Sequence, residues 1–149
     1  METKVEHISL QKIEKNVSRL LRDDTTMLEI HNLFAKMCEP YVPMEEGTLS
    51  QQIEVLPEGV HYTVPYAHYQ YIGLIYGPNI PIVEDGVVVG WFSPPGQKKH
   101  PTGRRISYSN QMHPLASREW DKAMIRDKKD EFLTQVHSIL VRRYRELYG

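Results

Sequence analysis

The sequence predicts an α+β domain, an antiparallel β-sheet packed against two N-terminal helices and one long C-terminal helix. Three observations predict it. Apolar residues recur at helical spacing as far as Cys38, the hydrophobic period falls to two from Gly47, and a charged helical pattern returns after Ser117.

Val5 to Ile8 reads as a short strand, and Ser9 as the N-cap of a first helix to Arg22 with Leu10, Ile13, Val17, Leu20 and Leu21 on its apolar face. Thr26 with Glu29 three residues later has the form of a capping box for a second helix. Its apolar face is Met27, Ile30, Phe34, Met37 and Cys38. Pro40 and Pro43 stop it, because proline lacks an N–H and disfavours helix in the residue before it. The N-terminal helices therefore occupy residues 9–40.

The sheet is expected over residues 48–109. Leu49, Gln51, Ile53 and Val55 share one parity, and Pro57-Glu58-Gly59 is turn chemistry, so Thr48 to Leu56 enters a hairpin that returns through His61 to Val64. Pro65 then bends the return strand, which continues through Ala67, Tyr69 and Tyr71. Asp85-Gly86 signals a second hairpin between Ile80 to Glu84 and Val87 to Phe92, since that pair accepts the positive φ angles of a tight turn. Residues 93–103 are rich in proline and glycine and poor in apolar anchors, which marks an exposed loop. Arg104 to Ser109 is the last strand.

Pro114 holds His113 extended, Ser117 is the candidate N-cap, and Glu119 and Asp121 place negative charge on the first turn of a helix over residues 118–147. Such a helix is roughly 45 Å long, against a radius of gyration of roughly 15 Å for a domain of this size. Trp120, Ala123 and Met124 are placed to dock on the sheet. The later stripe of Leu133, Val136, Leu140, Val141, Tyr144 and Leu147 is open either to the other helices or to a neighbouring subunit.

With 149 residues, 40% hydrophobic and 25% charged, the chain fits one globular domain, residues 1–149, with neither an internal repeat nor a second unit. No apolar run reaches the roughly 18 residues of a membrane span, and the first residues lack a signal-peptide pattern, so a soluble protein that is not exported is expected. A lone Cys38 cannot form an internal disulfide and suits a reducing compartment. The net charge of −1 hides a division: residues 1–97 carry 6 Lys/Arg and 13 Asp/Glu, residues 98–149 carry 12 and 6. Opposed patches of this kind steer contacts between copies or with an acidic partner, unless the two halves intermix on one surface.

The sequence offers little for catalysis. Seven histidines have no i, i+4 pair and no Cys partner that would close a zinc site, and Cys38 sits on an apolar helix face where a free thiol behaves as a small hydrophobe. No Gly-x-Ser-x-Gly elbow and no phosphate-binding glycine loop occurs. Paired acids such as Asp23-Asp24 and Glu84-Asp85 fall at element ends, where acids cap or solvate. No enzyme, cofactor or metal site is expected.

Two surfaces remain. Tyr62, Tyr66, Tyr69, Tyr71 and Tyr76 combine apolar area with a polar tip, which suits either a sheet core or an interface. The interface residues assigned from sequence are Tyr66, Tyr69, Tyr71, Trp91, Trp120, Leu140 and Tyr144. Lys98, Lys99, Arg104 and Arg105 form a basic segment able to meet DNA phosphates or an acidic partner, although no aromatic residues are interleaved for base stacking. A nucleic-acid-binding module using Lys98 to Arg105 is the alternative function, and a hydrolase centred on His61 and His68 a more distant one.

Three segments in order, Tyr41-Val-Pro-Met-Glu-Glu-Gly-Thr-Leu-Ser50, Pro65-Tyr-Ala-His-Tyr69 and His113-Pro-Leu-Ala-Ser-Arg-Glu-Trp120, resemble the minor capsid, head-to-tail joining (neck or tail-completion) proteins of tailed bacteriophages. The likeness covers residues 41–124. It departs at the hairpin of residues 80–92 and the loop after it, which are longer than the pattern requires. The resemblance implies a structural virion protein, made in the bacterial host cytoplasm and without enzymatic activity. It implies a homo-oligomeric ring, hexamer or dodecamer, in the neck. Other neck, portal-side and tail proteins would be its partners, and double-stranded DNA would pass through without sequence-specific contact.

Overall fold

The computed structural model describes residues 2–43, 52–64, 67–78, 80–109 and 113–149, with side chains from Leu10 onward. Helix α1 spans Glu2–Leu20 and α2 spans Asp24–Cys38. Val5 to Ile8, expected as a strand, are helical, and Ser9 lies within the helix rather than capping it. The stretch before Ser9 contains no proline or glycine, so nothing in it stops helix growth toward the N-terminus. Helix α2 also begins earlier than expected. The Asp23 carboxylate accepts the Thr26 N–H at 3.0 Å and the Thr26 hydroxyl at 2.7 Å, so Asp23 is the cap and Thr26 the third helical residue. A short 3₁₀ turn, Glu39–Tyr41, follows and carries Pro40.

The strands are β1 (Ile53–Leu56), β2 (Gly59–Tyr62), β3 (Leu74–Gly77), β4 (Ile80–Glu84), β5 (Val87–Phe92) and β6 (His100–Arg105). Among the described residues they pair as three two-stranded antiparallel ribbons, β1–β2, β3–β6 and β4–β5, rather than as one continuous sheet. Both predicted hairpins form. In the first, Leu56 faces Gly59; in the second, Glu84 faces Val87 across Asp85 and Gly86, whose φ angles of 52° and 78° are both positive as a tight hairpin turn requires. Residues 48–51, predicted to begin the first strand, lie outside the described residues.

Two sequence expectations fail outside the hairpins. Residues 67–72 are not a bent strand but a short helix, α3 (Ala67–Ile72). It is stopped by Gly73, whose φ of +76° and N–H bond to the Tyr69 carbonyl at 2.9 Å make a left-handed C-terminal cap. The preference of tyrosine for strands is weaker than this cap together with tertiary packing. The last strand starts at His100 and ends at Arg105, so the last four residues of the predicted loop, 100–103, join the strand paired with β3, while residues 106–109 leave the ladder. Thr102 anchors it, its hydroxyl donating to the Ile75 carbonyl at 2.6 Å.

Helix α4 runs Trp120–Tyr148. Ser117 does not cap it. The residue before the helix is Glu119, in the left-handed region at φ 46° with no side-chain cap bond, and its N–H donates to the Tyr71 carbonyl at 2.8 Å. The helix breaks locally at Lys128, φ −131° and ψ 23°. No proline or glycine is present there; Tyr41 grips the site instead, its hydroxyl donating to Asp127 at 3.0 Å and its ring lying 5.7 Å below the Lys128 ammonium.

One core joins these parts. Met37, Cys38, Tyr41, Val42, Val64, Ala67, Trp120, Ala123 and Met124 are buried together, with Phe34, Tyr62, Tyr71 and Phe132 packed at its edge. Farther along, α4 is tied to the start of α2: Arg143 donates to Asp23 at 2.9 Å and to the Thr26 hydroxyl at 3.1 Å, and Arg142 pairs with Glu29. Asn16 of α1 donates to the Tyr144 hydroxyl at 3.3 Å.

Candidate functional site

The β4–β5 ribbon concentrates exposed apolar residues. Alternation normally gives a strand one apolar face and one polar face. Here Ile80, Ile82, Val83, Val87, Val88, Val89, Trp91 and Phe92 are all exposed, with Trp91 60% exposed and Val87 62%. Pairing of Ile80 with Phe92 and of Pro81 with Trp91 puts apolar residues on both faces, and the register shift between Ile82 and Val83 adds a bulge near Gly90. The ribbon makes its extensive contacts within itself, not with any other described element. A two-stranded ribbon alone is marginal in water, so covering these faces would be favourable on both strand-pairing and hydrophobic grounds.

A second feature is a concave groove of about 550 Å³, walled by Ile30 and Phe34 of α2, Val60 and Tyr62 of β2, Tyr71 of α3 and Phe132 of α4. Its floor is rigid. Trp120 is 4% exposed and stacks edge-on between Tyr62, with ring centroids 5.1 Å apart, and Tyr71, at 5.0 Å. The Tyr71 hydroxyl donates to Asp121 at 2.9 Å; burial and that carboxylate push its pKa up to about 12, so it stays a neutral donor. Beneath, burial with some help from Asp121 pushes the Cys38 thiol up to about 12, which makes it a packing group rather than a nucleophile.

The residues assigned from sequence fall in separate places. Trp120, assigned to an interface, is 4% exposed, held in the core between Tyr62 and Tyr71 at the floor of the groove. Tyr71 is half-buried beside it, while Tyr69, 37% exposed, packs edge-on against Tyr76 on the other side of α3. Trp91 lies on the exposed ribbon, and Leu140 and Tyr144 are half-buried along α4. Tyr66 lies outside the described residues. Lys98 and Lys99 in the loop, and Arg104 and Arg105 on β6, are exposed. From Gly86 to Arg118 the sequence has no acidic residue.

Sequence reasoning missed the aliphatic residues around Trp91. Their signal was present: from Ile80 to Phe92 the only charges are Glu84 and Asp85 at the turn, so neither face of the hairpin has polar residues to present to water. Among the described residues no three His, Cys, Asp or Glu side chains are arranged to hold a metal ion, and no helix is long and apolar enough to cross a membrane.

The α+β core thus carries an exposed apolar ribbon, an apolar groove and an exposed basic segment. A family profile described as minor capsid protein matches residues 3–137, and the chain belongs to that family. It is a structural component of a bacteriophage virion. Neither a curated protein nor a solved structure matches the chain.

Proposed function

We propose that this minor capsid protein forms an oligomeric ring in the head-to-tail connector, joining the portal side of the capsid to the tail and letting DNA pass. The β4–β5 ribbon, apolar and exposed on both faces, carries the reading, because an arm of that kind is stabilised when neighbouring subunits cover it. A head-to-tail contact, in which one subunit offers the arm and the next a different surface, closes into a ring when its rotation divides a full turn. The opposite net charge of residues 1–97 and 98–149 favours contacts between unlike surfaces over contacts between like ones. The ordered motifs around Gly47, Ala67 and Trp120 add the likeness to neck proteins. The ring would be a hexamer or dodecamer, with portal-side, neck and tail proteins as its neighbours.

Electron microscopy of particles carrying a tagged copy of the chain tests this. Label at the head-to-tail junction, in a ring around the channel, is the expected result. Label elsewhere on the capsid, or none on the particle, overturns it. The acid-free stretch from Gly86 to Arg118 favours DNA contact as a second reading. Duplex binding that weakens steeply with salt, and whose slope falls when Lys98, Lys99, Arg104 and Arg105 become alanine, is the expected signature.

A further inference from the structure

We propose that the β4–β5 ribbon of one copy seats in the groove between α2, β2 and α4 of the next copy; the inference rests on the ring reading and names its subunit contact. Ribbon and groove are complementary in kind. The ribbon projects large apolar side chains that are 45% to 62% exposed and make no extensive contact with another described element. The groove is concave and apolar, and its roughly 550 Å³ falls in the range that accepts drug-sized apolar groups, enough for several side chains of the ribbon.

Charge agrees with the fit and gives it a direction. The only charged residues of the ribbon are Glu84 and Asp85, at its turn. Beyond Phe34 and Asp121 the groove continues into a shallower one bordered by Ile125, Lys122 and Arg126. Lys122 and Arg126 have side chains 68% and 71% exposed, and their pairs with Glu119 and Asp127 are surface pairs that can be exchanged at little cost. An acidic turn steered to this basic rim lays the apolar strands along the groove. Asp121, whose carboxylate holds the Tyr71 hydroxyl, is the acid that the turn must pass. The groove and the ribbon are different surfaces of one chain, so the contact is heterologous and propagates from copy to copy.

Cysteine pairing in assembled particles tests the contact. Val60 lies in the groove and Trp91 on the ribbon, while native Cys38 is fully buried. Particles assembled with Val60→Cys and Trp91→Cys in the same chain, then mildly oxidised, should give a ladder of multiples of the 17.4 kDa chain on non-reducing gels, with both single variants silent. A chain that forms the neck ring yet gives no ladder, or that links through residue 91 to a different virion protein, overturns this contact and leaves the ring reading standing. A ladder from particles whose label lies away from the neck overturns the ring reading and keeps the contact between copies. If the paired variant is not incorporated, Trp91→Lys decides. An unchanged unfolding temperature with incorporation about tenfold lower, the equivalent of 1.4 kcal/mol, supports the contact; wild-type incorporation overturns it.

Discussion

His113 Nδ1 lies 2.7 Å from the backbone carbonyl of Val42, fastening the turn before α4 to the segment that follows α2. A carbonyl can only accept, so Nδ1 carries the proton. The Ser117 N–H adds a second tie, to the Tyr41 carbonyl at 3.0 Å, and Glu119 a third, to Tyr71. The turn that launches the last helix is thus sewn to the core by hydrogen bonds from three of its residues.

His113→Ala should destabilise the fold by about 1–3 kcal/mol, because Val42 is buried and its carbonyl would lose this donor. Leu115→Ala, at a site 49% exposed in the same turn, should stay within about 0.5 kcal/mol of wild type. Urea unfolding of both variants checks this. Equal losses would show that the turn is not held through the imidazole.

Trp120→Ala should cost about 3–5 kcal/mol, the range for emptying a large aromatic site in a core. Tyr62 and Tyr71 both lose an edge-to-face partner, and the wall of the groove loses support. Trp120→Phe should keep part of those contacts and cost less. Thermal unfolding orders the three proteins, and a Trp120→Ala variant as stable as wild type would remove the ring from the core.

What the sequence made legible was periodic. Ile30, Met37 and Cys38 could be assigned to a buried helix face, and Asp85-Gly86 to a tight turn, because helical spacing and positive-φ chemistry are local properties. What escaped it depends on partners far along the chain. Asp23 displaces Thr26 as cap while also meeting Arg143, and α3 replaces the expected strand where Gly73 and the Trp120 contact to Tyr71 decide the backbone. The division into three ribbons was hidden for the same reason: β3 pairs with β6, across the whole β4–β5 hairpin, and no local signal specifies that partner. Of the assigned interface residues, Trp91 stands out on the surface, yet the aliphatic neighbours that make its ribbon an arm were read only as strand.

Acid should weaken the tie between α2 and the end of α4. The bonds from the Thr26 hydroxyl and from Arg143 lower the Asp23 pKa from 3.8 to about 2. A carboxylate with a lowered folded-state value stabilises the fold above 3.8, and that contribution is lost as pH falls toward 2. Asp23→Asn should therefore melt lower than wild type at neutral pH, with the difference shrinking below pH 3.8. Melting curves across that range measure it; a difference independent of pH would assign the effect to packing instead of charge.

Gly73→Ala should be among the costliest small changes in the chain. A Cβ there would lie 2.8 Å from the Arg118 Cβ and 2.8 Å from the Tyr108 hydroxyl, and φ at +76° disfavours any L side chain by roughly 1–2 kcal/mol. Relief by moving Tyr108 would break its 2.6 Å bond to the Gln70 carbonyl. Moving the backbone would disturb the Ile106 N–H bond to the Gly73 carbonyl, which holds the chain after β6. Gly86→Asn provides the control, since its φ of +78° is matched by open space and asparagine tolerates the left-handed region. Chemical denaturation should place Gly73→Ala more than about 2 kcal/mol below wild type and Gly86→Asn within about 1 kcal/mol. Comparable losses at the two glycines would mean that backbone angle alone sets the cost, and that the close approach of Arg118 and Tyr108 to the end of α3 is readily relaxed.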